Sequence, residues 1–326
     1  MYARTSQPVL LAIWATALVT MNGGAQQGPE ELATPLPAIS NDSQTALEIR
    51  AHFKSREFAE VARLSNDLIQ RHPQSWEGYF WKGTAAIQQR EFYAAVRNLR
   101  AAEKLQPPHN TVAKNLAIAY YLLDQRQLFE LKMNEAMALD PGDSSPYYYL
   151  GRYYLSSTAF EISVAAQSFA KALQKKSDDA ASTCFYGVAL EAMGEFDQAR
   201  EYFLRAAHLT GEQGLIASLA YQGLSRLALV NQPRTAVDFA RKAVTAQPKS
   251  AEAHLQLAKS AAAAGERNQQ LAALHAAAGL ARNEARPQYQ LMQIYRQMGH
   301  EGEARAAAAG YQKRVSCFGR EAADIR

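Results

Sequence analysis

A single pattern returns along this chain at a spacing of about 34 residues, and no other feature restricts its fold so strongly. In its clearest form a turn-forming residue precedes an aromatic, then Ala, an aromatic or Leu, and Ala follow at steps of three or four, and Pro closes the unit. It reads REFAEVARLSNDLIQRHP from Arg56 to Pro73, REFYAAVRNLRAAEKLQP from Arg90 to Pro107 and GEFDQAREYFLRAA from Gly194 to Ala207. The same offsets hold Phe129, Met133, Ala136 and Pro141, then Ala165, Phe169, Ala172 and Leu173, then Ala236, Ala240, Ala243 and Pro248. The last copies fade to Gly265, Gln270, Leu274 and Ala277, and to Gly299, Ala304, Ala308 and Tyr311.

A second pattern precedes each of these by about a dozen residues. It comprises Tyr79, Gly83 and Ala86; Leu116, Ala117 and Tyr120; Tyr147, Leu150, Gly151 and Tyr154; Gly187 and Leu190; Leu257, Ala258 and Ala261; and Leu291, Met292 and Tyr295. Steps of three, four and seven place such residues on one helical face. Each unit is therefore expected to be a helical hairpin. Small residues such as Gly83, Gly151 and Gly187 let two helices approach closely, and large aromatics fill the space beside them. Pro73, Pro107, Pro141 and Pro248 stop the second helix, because Pro lacks an amide proton and pushes its predecessor out of the helical region. A hairpin of this size cannot bury its own apolar stripe, so its neighbours must do so.

The unit resembles the tetratricopeptide repeat, whose two helices carry small and aromatic residues at these offsets and end in Pro. The resemblance implies an all-α fold, a right-handed α-solenoid of about eight hairpins over residues 42–311. Its windows are 42–75, 76–109, 110–143, 144–179, 180–216, 217–250, 251–284 and 285–311. Extra residues near 156–162 and 211–216 predict loops that bulge or lengthen a helix. Residues 312–326 are expected to cap the last hairpin or to trail from it.

The first 27 residues differ in kind. Arg4 is their one charge, residues 8–20 are largely apolar, and Gly23, Gly24 and Ala25 are small. That composition predicts a secretory signal over residues 1–25, cut after Ala25, followed by a polar spacer over residues 26–41 with three prolines. Export to a periplasm or the exterior follows, with no membrane insertion after cleavage. The alternative is an uncleaved anchor through residues 8–21; the apolar run is short against the roughly 20 residues that span a bilayer.

Charge and motif content narrow the function. The net charge of +4 arises from 35 basic and 31 acidic residues among 326, without a block of Lys or Arg, which disfavours nucleic acid as partner. Cys184 and Cys317 lie too far apart along a linear array to predict a disulfide. No nucleophile elbow, phosphate loop, His pair at metal spacing or C-x-x-C occurs. His52, His72, His109, His208, His254, His275 and His300 are scattered, and Asp178-Asp179 reads as a helix cap. No cofactor and no catalysis are expected.

The resemblance further implies that the first helix of each hairpin lines an inner groove, which would take a protein or peptide. Carried onto this chain, the inward positions include Phe80, Lys114, Tyr121, Tyr148, Arg152, Tyr221 and Tyr289, the residues singled out as the binding groove. Thr84, Ile87, Ile118, Leu155, Cys184, Val188, Ser225, Leu255, Lys259, Gln293 and Arg296 share those positions, as do Arg50 and Phe53. Family members that grip a terminal carboxylate use Lys and Asn there. Lys114 matches, whereas Ile118 and Tyr149 stand where Asn is required, so that ligand class is disfavoured. The reading is a non-catalytic scaffold, with envelope or appendage assembly as a narrower version. Alternatives are the recognition subunit of an enzyme whose catalytic chain is separate, and a solenoid with a purely structural role.

Overall fold

A computed structural model describes residues 43–105, 108–156, 161–281 and 284–321. The expected signal segment and spacer lie outside them. Sixteen α-helices and no strand occur among the described residues. Two compact units divide at Ser177 and Asp178, each holding four helical hairpins. In the first unit these are α1 (Ser43–Lys54) with α2 (Phe58–Arg71), α3 (Trp76–Gln88) with α4 (Phe92–Leu105), α5 (Asn110–Leu122) with α6 (Arg126–Leu139), and α7 (Ser145–Ser156) with α8 (Ile162–Lys175). In the second they are α9 (Ala180–Met193) with α10 (Phe196–Leu209), α11 (Gly214–Ala228) with α12 (Pro233–Ala246), α13 (Ala251–Ala263) with α14 (Arg267–Leu280), and α15 (Arg286–Gln297) with α16 (Glu301–Glu321). Within each unit every helix packs on the next, and first helices also meet one another where α3 meets α5, α5 meets α7, α9 meets α11 and α11 meets α13. The fold class is all-α, and each unit is built as an α-solenoid.

The turns follow from local chemistry. First helices end where a residue at positive φ lets its successor's amide donate to the carbonyl five residues back, the closure that satisfies a helix C-terminus. Glu57, Glu91 and Gln125 donate in this way to His52, Ala86 and Tyr120, and Glu195, Glu266 and His300 to Leu190, Ala261 and Tyr295. Second helices end on extended residues ahead of Pro: His72, Asp140 and Gln247 have φ of −134°, −141° and −142°. Ser75, Asp179 and Ser250 cap the following first helices, accepting from the amides of Gly78, Ser182 and Ala253.

Packing explains the small residues. A Cβ on Gly83 would lie 2.7 Å from Leu99, and one on Gly151 2.7 Å from Phe169, so in both hairpins the large side chain of the second helix occupies the space. Phe203 of α10 fills the equivalent space between Gly187 of α9 and Gly223 of α11, which is how one hairpin keys into the next. Polar ties about one repeat apart in sequence fix that register. Lys132 meets Glu103 at 2.5 Å and Arg126 meets Glu161 at 3.0 Å in the first unit. In the second, Arg226 meets Glu191 at 2.8 Å and the hydroxyls of Ser225 and Ser260 pair at 2.8 Å.

At the second of the two places where extra residues were expected to bulge or lengthen a helix, the helix is lengthened: Gly214 to Ile216 begin α11, which runs to Ala228. The C-terminal boundary differs from the expectation. Residues 312–321, expected as a separate cap or tail, continue α16 without a break.

Candidate interaction surface

The two helices of a hairpin differ in kind, and that difference decides where a surface is available. Second helices are amphipathic: α2, α4, α8 and α12 bury one stripe and expose the rest. First helices are apolar around most of their circumference and are enclosed accordingly. In α5 every residue from Thr111 to Tyr120 is buried, and in α11 every residue from Ala217 to Ser225.

That enclosure corrects most of the groove read from the repeat positions. Phe80 is fully buried between Trp76 and Trp81, with ring centroids at 6.1 and 5.4 Å, and has no surface to offer a ligand. Lys114 is buried and committed: its Nζ donates to Asp143 Oδ2 at 2.6 Å and to Ser145 Oγ at 3.2 Å, pinning α5 to the start of α7. Burial works to raise the pKa of Asp143, but the hydrogen bonds from Lys114 and Ser145 outweigh it and hold the carboxyl below its ordinary range.

Tyr148 is buried against Phe169 and Tyr149, and Arg152 of the next turn lies 5.7 Å from its ring centroid. Tyr221 is buried beside Phe239, with Lys242 Nζ 5.3 Å from its ring centroid. Its hydroxyl is pushed up to about 12, by burial first and then by a hydrogen bond to Glu212. These side chains are spent on packing within their own hairpins, Tyr148 against Phe169 of α8 and Tyr221 against Phe239 of α12.

The remaining inward positions divide the same way. Thr84 returns its hydroxyl to the Phe80 carbonyl at 2.8 Å, and Ile87, Ile118, Leu155, Val188, Ser225 and Leu255 are buried. Cys184 is a buried free thiol whose pKa burial raises to about 12, which makes it unreactive as a nucleophile. Tyr121 is half-buried, its hydroxyl 3.2 Å from Ser156 Oγ. Arg50 and Phe53 are also half-buried, and Lys259 is exposed. Only on α15 does a predicted set come together in solvent: Tyr289, Gln293 and Arg296 are all exposed on one face, at steps of four and three.

Repeat positions say nothing about the outward faces of the second helices, and a different surface lies there. On α4, Tyr93, Arg97, Arg100 and Lys104 are exposed in a row at steps of four, three and four. They edge an open groove of about 490 Å³ whose other walls are Val96, Ala101, Leu123, Gln125 and Leu128, with Tyr120 beneath. Three cations line it and no carboxylate does. Glu103, the acid nearest on α4, is turned to Lys132 of α6. In the second unit, Phe196, Arg200 and Leu204 make an exposed row on α10. The signal was present in the sequence as residues at helical spacing that the repeat leaves unused. Among the described residues no three His, Cys, Asp or Glu side chains converge to hold a metal ion, and no helix is long and apolar enough to cross a membrane.

With this geometry in hand, likeness to known proteins can be placed. No family model matches the chain. Across 195 residues, 57 % of its length, it is 27 % identical to tetratricopeptide repeat protein 37 of Xenopus laevis, of which it spans 12 %. The structure of the APC/C hetero-tetramer Cut9–Hcn1 superposes with a TM-score of 0.64 at 17 % identity, covering 78 % of this chain and 49 % of that one. A tetratricopeptide repeat protein of Parabacteroides merdae ATCC 43184 gives 0.59 at 14 % identity, with coverage of 77 % and 97 %. Pseudomonas aeruginosa pilF gives 0.53 at 17 % identity, with coverage of 64 % and 96 %. At such identities the structural likeness is one of fold. In sequence and in fold alike, the chain is similar to tetratricopeptide-repeat proteins.

Proposed function

We propose that this chain is an exported, non-catalytic scaffold that holds a protein or peptide partner. The observation that carries the reading is the contrast between enclosed first helices and the side chains left on outward faces. Tyr93 is 78 % exposed, Leu131 58 % and Phe196 57 %, on helices whose opposite faces are fully packed. Large apolar side chains grouped with Arg on a rigid surface supply contact area and hydrogen-bond donors, the composition of protein-binding patches. The protein-interaction role commonly served by tetratricopeptide hairpins supports the same reading. Export is supported by the apolar residues 8–20 and the small residues at 23–25. A role in envelope or appendage assembly is the narrower form of the proposal. Of the inward residues, Tyr121 and Tyr289 belong to it, because both keep solvent contact.

Two experiments test it. Residues 1–41 fused to a reporter active only outside the cytoplasm should confer export and reporter activity, and an inactive fusion that accumulates in the cytoplasm would refute that part. Cross-linking of the full chain, followed by peptide mapping, should place the partner on α4, α10 or α15. Cross-links scattered over all sixteen helices, without a preferred face, would refute the scaffold reading.

A further inference from the structure

We infer that the groove beside α4 is a docking site for an acidic peptide segment with apolar residues interspersed among its carboxylates. This rests on the scaffold reading and assigns it a place and a ligand chemistry. Arg97, Arg100 and Lys104 make no ion pair and no side-chain hydrogen bond among the described residues. Some exposed cations in this unit are engaged, Arg63 with Glu60 and Asp67 and Arg126 with Glu130 and Glu161, and others such as Lys54 and Lys171 stand apart. What sets the α4 row off is that its three cations share one groove with no carboxylate in its lining. Three unengaged cations on one helix face repel one another, and a complementary anion removes that cost.

The shape of the groove argues for a peptide over other polyanions. Arg97 and Lys104 lie seven residues apart, about 10 Å along the helix. An extended segment advances about 6.7 Å for every two residues, so two alternate carboxylates fall within reach of the three long cationic side chains while the residues between them turn the other way. Val96, Leu123, Leu128 and the ring of Tyr93 form the apolar surface those intervening side chains would meet. A phosphate backbone would use the cations and leave this apolar strip unfilled. The bidentate match of guanidinium to carboxylate suits Arg97 and Arg100.

The probe is a fluorescently labelled nine-residue peptide alternating Glu with Leu or Phe, titrated against the full chain and followed by anisotropy. Saturable binding is expected, weakening at least tenfold in R97E/R100E/K104E and weakening with added salt. The Gln-for-Glu peptide should bind at least tenfold less well, as should a peptide with Ser in place of Leu and Phe. Because these three side chains are exposed and unengaged, the variant should keep its circular dichroism spectrum and melting temperature. Equal binding by wild type and variant would overturn the inference, as would failure of the acidic peptide to bind at all.

A single-stranded oligonucleotide binding as tightly as the peptide, with the same loss in the variant, would reassign the groove to nucleic acid and overturn it too. Glu30 and Glu31 of this chain are a competing occupant. Peptide binding that appears only in E30Q/E31Q would identify the groove as self-filled and refute an external ligand. A partner whose cross-links persist in R97E/R100E/K104E would leave the scaffold reading standing and remove only this site.

Discussion

The two units build the same hairpin with different interiors. In the first, the core rests on large rings: Trp76, Phe80, Trp81, Tyr120, Phe129 and Tyr153 lie in one cluster with Phe53 and Tyr121 packed against it. In the second, between α12 and α16, the core is Ala240, Ala258, Ala261, Ala273, Ala277 and Ala278 with a few Leu and Ile side chains. Rings bury large areas and hold helices through shape. Alanines let backbones approach, and close approach brings side-chain hydroxyls within reach of a neighbouring helix. Ser218 and Ser225 of α11 donate to the carbonyls of Ala243 and Ala236 on α12, each at 2.8 Å. Turns differ in parallel. Arg56, Arg90 and Asp124 adopt the left-handed conformation in the first unit, where Gly194, Gly265 and Gly299 adopt it in the second. One architecture thus tolerates two solutions to filling and two to turning, because the repeat demands complementary volumes and a positive φ without dictating which residue supplies them.

That comparison can be broken in several places, and region-resolved hydrogen exchange under mild denaturant would report each unit separately. The largest effects are expected in the cores. Phe129→Ala should cost the first unit about 3–5 kcal/mol through the cavity it opens, whereas truncation in the alanine-rich stretch between α12 and α16 of the second has little left to remove. Enlargement works the other way: Ala240→Leu should cost the second unit about 1–3 kcal/mol, since Ala240 is fully buried in a closely packed core. If Phe129→Ala proves mild or Ala240→Leu neutral, the contrast in packing style is wrong.

Of comparable size is Arg226→Ala. Arg226 and Glu191 pair with side chains 7 % and 4 % exposed, and removing the cation strands a buried carboxylate, at a cost of about 3–5 kcal/mol. Lys114→Ala in the first unit should cost less, because Asp143 keeps 15 % of its surface and can be partly solvated. Equal losses by chemical denaturation would contradict the distinction.

Smaller effects sit in the turns and in pH. Arg90→Gly should stabilise the first unit by about 0.5–1 kcal/mol by relieving a side chain held at φ 64°, while Gly265→Ala should destabilise the second by about 1 kcal/mol. Melting temperatures moving in the same direction would sink the pairing. Asp143 has a folded pKa below its ordinary 3.8, so its contribution is present above that value and lost as pH falls through the depressed one. Acidification below about pH 4 should therefore loosen the α5–α7 connection, and Asp143→Asn should abolish that acid sensitivity at the expense of stability at neutral pH.

Much of the fold was legible because it is written in short-range terms. Hairpin identity, the close-packing role of Gly83, Gly151 and Gly187, and the helix stops at Pro73, Pro141 and Pro248 each depend on residues within one repeat. Binding positions were far less legible. Phe80, Lys114, Tyr148 and Tyr221 occupy inward positions by spacing, but spacing cannot tell a side chain facing solvent from one enclosed by its neighbours. Tyr289, Gln293 and Arg296 keep their exposure on α15, where no further first helix covers that face among the described residues.

What the amino-acid sequence alone determined is therefore the unit: where each helix turns, which face is apolar and where small residues admit a neighbour, all set by chain connectivity and local sterics. What only the tertiary structure decided is the surface that remains. First helices of adjacent hairpins close over one another, and a row such as Tyr93, Arg97, Arg100 and Lys104 becomes a groove wall only when α5 and α6 rise beside it. Exposure is a property of neighbours about one repeat away, and periodicity, which makes all repeats alike, carries no record of which faces those neighbours leave bare.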